Sequence, residues 1–161
     1  PLPTARAASP SPRRPRVAHK ITSFKVTESF EDTAMATTAQ YAATVNGASA
    51  QISTANTNRN GTGTIVSVIS GASSGTRVDD ISIVATGTTT AGVVRLFISD
   101  GTNIRLWQEI LVTAVTPSTT VQVWSYTLLN QALLLKSGWS LQAATNNAET
   151  FNVLVTRAGD F

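Results

Sequence analysis

From residue 42 onward, apolar residues come only in short runs, each broken by a turn signal, and no stretch holds a helical spacing long enough for an ordinary helix. Ala42 to Thr54 is weakly patterned, with Val45 and Ile52 on either side of an Asn46-Gly47 turn signal. The loop from Asn56 to Gly63 leads into an expected strand from Thr64 to Ile69. Gly71 to Gly75 then turns the chain into Arg77 to Val84, where Val78, Ile81 and Ile83 approximate one buried face with a bulge or offset at Asp79-Asp80. The strongest local signal is a hairpin, with Asp100-Gly101 between Val93–Ile98 and Asn103–Val112. In its second strand Ile104, Leu106 or Trp107, and Ile110 supply a packed face. Val121–Tyr126, Gly138–Ala143 and Thr150–Thr156 complete the set, and only Leu128 to Leu135 leaves room for a helical turn. About eight strands at this spacing predict an all-β fold: an antiparallel β-sandwich of jelly-roll type over residues 35–161.

Composition agrees. Charged residues are 13% of the chain, about half the usual share, while Thr, Ser, Ala, Val and Asn abound. No apolar run approaches the ~18 residues of a membrane span, so no membrane partner is expected.

The net charge of +3 is unevenly placed. After Met35 the basic and acidic residues balance, whereas Arg6, Arg13, Arg14, Arg16, Lys20 and Lys25 crowd the start of the chain with Pro1, Pro3, Pro10, Pro12 and Pro15. Proline forbids a regular helix there, and the apolar content is too low for a separate core, so residues 1–34 read as an extended basic arm. Residues 20–30 alternate loosely through Ile21, Phe24, Val26 and Phe30, which suits a strand added to an existing sheet. The expected contacts with a partner are Arg13, Arg14, Arg16 and Lys20 by charge, and Phe24, Val26 and Phe30 by apolar docking. Met35, the single methionine, would also pass for a translation start, which would make residues 1–34 an upstream extension. We read them as an arm pinned against a partner subunit.

The chemistry expected of the body is non-enzymatic, with no cofactor and no metal. Cysteine is absent and His19, the one histidine, lies in the arm, so neither a thiolate nucleophile nor an imidazole acid/base pair is available after Met35. Gly71-Ala-Ser-Ser-Gly75 matches the G-x-S-x-G nucleophile pattern, but a strand follows where that elbow requires a helix. Asp79-Asp80 as half of a calcium site is disfavoured because neighbours on a strand point to opposite faces. Gly61-Thr-Gly63 lacks the context of a phosphate loop, and Asn60-Gly61-Thr62 is a short sequon of the kind that arises by chance. Trp107, Trp124, Trp139 and Tyr126 favour core or interface packing over a sugar platform. Nucleic acid is not expected as a partner, since the arm has few aromatics and the body has no charge excess.

Several ordered landmarks carry a resemblance: Gly87-Thr-Thr-Thr-Ala-Gly-Val-Val-Arg-Leu-Phe-Ile-Ser-Asp-Gly-Thr-Asn103, Leu111-Val-Thr-Ala-Val-Thr-Pro-Ser118, Gly138-Trp-Ser-Leu-Gln-Ala143, Asn147-Ala-Glu-Thr-Phe151 and Ala158-Gly-Asp-Phe161. Together, over about residues 62–161, they resemble a family of small proteins encoded among tailed-bacteriophage structural genes; the arm lies outside this similarity. The resemblance implies a virion protein of the capsid decoration, or cement, type on the outer surface of the head lattice. Aromatic and branched residues enriched in the central strands, with sparse charge, further predict a body surface apolar enough to pair with copies of itself, as a homotrimer, or with the major capsid protein. A tail-fibre or receptor-binding module that contacts carbohydrate is the alternative, to be recognised by an exposed aromatic patch.

Overall fold

The computed structural model describes residues 42–161. The expected arm, its docking strand over residues 20–30 and the boundary at residue 35 lie outside the described residues. Within them there is no helix, and so none that is long and apolar enough to cross a membrane.

Nine strands follow in order: β1 (Thr44–Ile52), β2 (Val66–Ser70), β3 (Thr76–Ala85), β4 (Gly92–Ser99), β5 (Ile104–Val112), β6 (Ser125–Leu128), β7 (Leu133–Leu135), β8 (Ser140–Thr145) and β9 (Phe151–Asp160). They form two antiparallel sheets. One has the order β1-β9-β3-β6, with β7 also paired to β3; the other has the order β2-β8-β4-β5. β6 and β7 occupy successive lengths of the same edge of β3, opposite Ile81–Val84 and Thr76–Val78. Taken as one interrupted strand, they bring the count to the eight of a jelly roll. Counted that way, the chain changes sheet at every connection except the β4–β5 hairpin, so the sandwich closes by long-range pairing.

The core is the space between the sheets. Val78, Ile81, Ile83, Val94, Leu96, Leu141, Ala143 and Val153 are completely buried there. In β3 the bulge at Asp79-Asp80 resets the alternation, so that Val78 and Ile81, three positions apart, both face inward. The interruption between β6 and β7 lies opposite this bulge. Asn130 N–H donates to Asp80 Oδ1 (2.9 Å) and Gln131 N–H to the Asp79 carbonyl (2.9 Å), which fastens residues 129–132 to β3 as an excursion from the sheet. Asn130 and Ala132 take positive φ values of 54° and 49° within it. Leu128–Leu135 therefore holds the end of β6, the excursion and β7 in place of a helical turn.

Two further local expectations change. Asn46-Gly47 is not a turn: β1 runs through it, and β9 has one residue more than β1 at that point, which makes an irregularity in the ladder. Val121–Val123 is irregular and the strand begins at Ser125, although the Ala85 N–H still donates to the Trp124 carbonyl (2.9 Å); Trp124 is buried, its ring meeting Phe151 edge-on at 5.7 Å. The β4–β5 hairpin is as expected. Asp100 Oδ1 accepts from Thr102 N–H (2.9 Å) and Asn103 N–H (2.7 Å), and Gly101 takes a φ of 90°.

Candidate functional site

The expected partner contacts, Arg13, Arg14, Arg16, Lys20, Phe24, Val26 and Phe30, lie outside the described residues. What residues 42–161 offer a partner depends on which faces of the sandwich are sealed and which are open.

The outer face of the β2-β8-β4-β5 sheet is covered around Arg95 and Phe97, while Leu111 on β5 stays exposed. In β4, Val94 and Leu96 point into the core, so Arg95 and Phe97 point the other way, yet both are as buried as the core residues. The cover is the segment 53–65. It leaves β1, forms a parallel bridge from Ala55 to Thr145 on β8, and packs Gly61 against the Ile104 carbonyl on β5. Asn56 organises this lid: its side-chain amide donates to the carbonyls of Thr62 (2.9 Å) and Thr64 (3.0 Å), and its Oδ1 accepts from Asn58 N–H.

Arg95 fastens the lid from below. Its Nε donates to Glu109 Oε1 (2.7 Å), Nη1 to the Asn56 carbonyl (2.8 Å) and Nη2 to Asn146 Oδ1 (3.1 Å). Arg59, on the lid, meets the same Glu109 oxygen at 2.8 Å. The Arg95 guanidinium, helped by Arg59, holds the Glu109 carboxyl below its ordinary value. Asp100 is lowered by the backbone N–H groups of Asn103 and Thr102, and Asp160 by the Thr76 hydroxyl and the Asn46 amide.

A folded pKa below the unfolded one contributes stability above the usual carboxylate range, which is lost as pH falls through the folded value. Thermal stability of the chain is therefore expected to decline on acidification below about pH 4. Glu109→Gln should make that decline shallower than in the parent when unfolding is followed by circular dichroism across the acid range. A parent whose melting temperature is unchanged down to pH 2 contradicts this.

The opposite sheet also has open apolar surface. Its β6–β7 edge, like β1 at the other edge and β2 and β5 in the facing sheet, has no further strand among the described residues. Along and beside it, Tyr126, Leu129, Leu134 and Phe161 are each about half exposed. A cleft of about 310 Å³ opens there, between the turn Ser73–Gly75 and β7, and its apolar wall is built from Leu134, Leu135 and Phe161. Phe161 N–H donates to the Gly75 carbonyl (3.1 Å), which sets its ring at the mouth. Composition did not single out this feature; the signal in the sequence was the run Leu133-Leu134-Leu135, too long for a strand with one wet face.

The catalytic alternatives gain nothing from the geometry. Ser73 sits in the β2–β3 turn, followed by a strand. Among the described residues no three His, Cys, Asp or Glu side chains stand close enough to hold a metal ion. Asp79 is buried and Asp80 partly so; Arg77 Nε meets Asp79 Oδ1 at 3.0 Å and Arg157 Nε meets Asp80 Oδ2 at 3.0 Å, so both carboxylates act within ion pairs. Trp107 and Trp139 are partly buried against the core and Trp124 is buried in it; Tyr126, stacked at 6.5 Å on Trp124, is the exposed member of the four aromatics.

A scan against protein-family models and a search of curated proteins find no match. Among solved structures the chain is similar to a crystal structure of a pentameric capsid protein isolated from metagenomic phage sequences, at 16% identity and a TM-score of 0.36 over 71% of this chain. The chain covers 61% of that protein's length. A second crystal structure of a pentameric capsid protein isolated from metagenomic phage sequences, solved by iodide SAD phasing, is 16% identical with a TM-score of 0.35, covering 94% of this chain and 81% of that one.

Proposed function

We propose that this chain is a structural protein of a tailed-bacteriophage virion: a capsid decoration protein that sits on the outer surface of the head lattice. It would act through its sandwich body, with residues 1–34 as an attachment arm, and without enzymatic activity. The observation that supports this reading is the apolar cleft beside the open β6–β7 edge, on a body poor in charge that also leaves Val45 and Leu111 exposed on other edge strands. An unpaired edge flanked by exposed Leu and aromatic side chains is a liability for an isolated protein and an asset for one that packs against neighbouring subunits. The landmarks between Gly87 and Phe161 that resemble the phage family support the same reading, and the exposed apolar side chains on a body with sparse charge suit self-association as a homotrimer. The inward packing of the tryptophans favours it over a carbohydrate-binding module.

The test is reconstitution of the full chain onto phage heads lacking it, with bound copies counted by sedimentation and the free protein weighed by native mass spectrometry. Leu134→Asp should weaken attachment or self-association by about tenfold or more while leaving the fold intact, as expected for a buried apolar anchor. Arg13, Arg14 and Arg16 changed together to Ala should weaken attachment mainly at low salt, because the Debye length shrinks to ~3 Å at 1 M; Phe24 and Phe30 changed to Ala should weaken it at every salt concentration. No binding of the parent to heads overturns the decoration role, and a pentamer in place of a trimer overturns the assembly state.

A further inference from the structure

The carboxylate of Asp160 ties together three strands of one sheet. Thr76 Oγ1 on β3 donates to its Oδ1 at 2.6 Å, and Asn46 Nδ2 on β1 donates to Oδ1 at 2.9 Å and to Oδ2 at 3.2 Å. The backbone repeats the fastening, because Ala43 N–H donates to the Asp160 carbonyl at 2.8 Å. Asn46 therefore supplies the side-chain part of the clasp that holds the start of β1 to β9. The next residue is Gly47, which is exposed, has no register partner on β9 and donates its N–H to Asn46 Oδ1 at 2.7 Å.

We propose that Asn46-Gly47 is a self-modification site, whose deamidation in the folded protein opens this clasp. The backbone nitrogen of Gly47 lies beside the Asn46 side-chain carbonyl with no Cβ to shield it. Attack forms the Gly47 N–Asn46 Cγ bond and breaks the Cγ–Nδ2 bond. The proton lost from the Gly47 nitrogen balances the one gained by the departing amide, which leaves as ammonia. Water then opens the five-membered imide on one side or the other, giving aspartate or isoaspartate at position 46.

The product removes both donor hydrogens from Asp160 and sets a second carboxylate where they were, so attraction becomes like-charge repulsion. The irregularity in β9 makes the site accessible, because regular pairing on both sides of Gly47 would hold the backbone fully extended. The other Asn-Gly pair differs: Asn60 Oδ1 is turned toward Thr62, accepting from its hydroxyl at 2.7 Å, and Gly61 is packed against β5.

The experiment is a time course of the folded full chain at mildly alkaline pH, read by peptide mapping with mass spectrometry beside a urea-unfolded sample. Asn46 is expected to convert in the folded protein several-fold faster than Asn147, with both aspartate and isoaspartate formed, and Gly47→Ala is expected to slow it several-fold. An Asn46 that stays intact in the folded chain while the unfolded chain converts overturns the proposal. The product mimic Asn46→Asp tests the consequence separately: faster hydrogen exchange at Ala43 and Thr44 and a lower melting temperature are expected. Exchange equal to that of the parent overturns the opening of the clasp.

Discussion

Replacing Arg95 with leucine is expected to destabilise the chain by about 3–5 kcal/mol, the range for breaking a buried charged network by removing one partner. Leucine fills much of the space beside Phe97, so the loss falls on the polar groups. The Asn56 carbonyl and Asn146 Oδ1 would be left under the lid without their donors, and Glu109 would keep only the exposed Arg59. For a body of this size the melting temperature should fall by roughly 10 °C or more. Arg95→Lys separates charge from shape: an ammonium has three donors but no planar fork, and cannot reach all three acceptors at once. It should lie between the parent and Arg95→Leu. Denaturant unfolding that places Arg95→Leu within about 1 kcal/mol of the parent would show that packing, and not the guanidinium, holds the lid.

The second large effect is expected at Gly61, on the opposite rim of the same lid. A Cβ there would stand 2.3 Å from the Ile104 carbonyl oxygen and 2.9 Å from the Ile104 Cβ, at a φ of +82° that L residues rarely adopt. Neither contact can be relieved by turning a flexible side chain, since the oxygen belongs to the backbone of β5. Gly61→Ala should cost about 2–4 kcal/mol, combining left-handed strain of about 1–2 kcal/mol with displacement of the lid. The change should be local, with hydrogen exchange rising over residues 53–65 before the rest of the sandwich responds. Gly87→Ala is the unstrained control, because Gly87 has no positive φ and a Cβ there meets nothing within 4 Å. A Gly61→Ala protein as stable as Gly87→Ala would mean that the lid moves aside freely.

These two residues also show where reading the sequence stops. The inner face of β3, its bulge and the β4–β5 hairpin were legible because each follows from local rules: alternation, an interruption of it, and an Asp-Gly pair between two apolar runs. Arg95 was not, although it stands alone among Val93, Val94, Leu96, Phe97 and Ile98. Alternation places it on the outer face of its sheet, and only the folded position of a loop 30–40 residues earlier in the chain determines that this face is dry. Segment 56–63 looked like loop punctuation for the same reason: its glycines and asparagines serve contacts with β5 and within the lid, not a reversal of the chain. At the candidate site, Leu134 was visible as part of an apolar run but not as the wall of a cleft, since Phe161 and Ser73–Gly75 reach it through the pairing of β3 with β7 and β9.

That pairing also shapes how the protein must be made. β1 obtains its partner only from β9, about a hundred residues further along the chain, and β3 gains its central position only when β9 lies between it and β1. During synthesis the early strands therefore emerge with unsatisfied edges, and only the β4–β5 hairpin can form from neighbours already at hand. The sandwich cannot close until Phe151–Asp160 has left the ribosome, which predicts slow, late folding with a premium on chaperone protection of the half-made sheets.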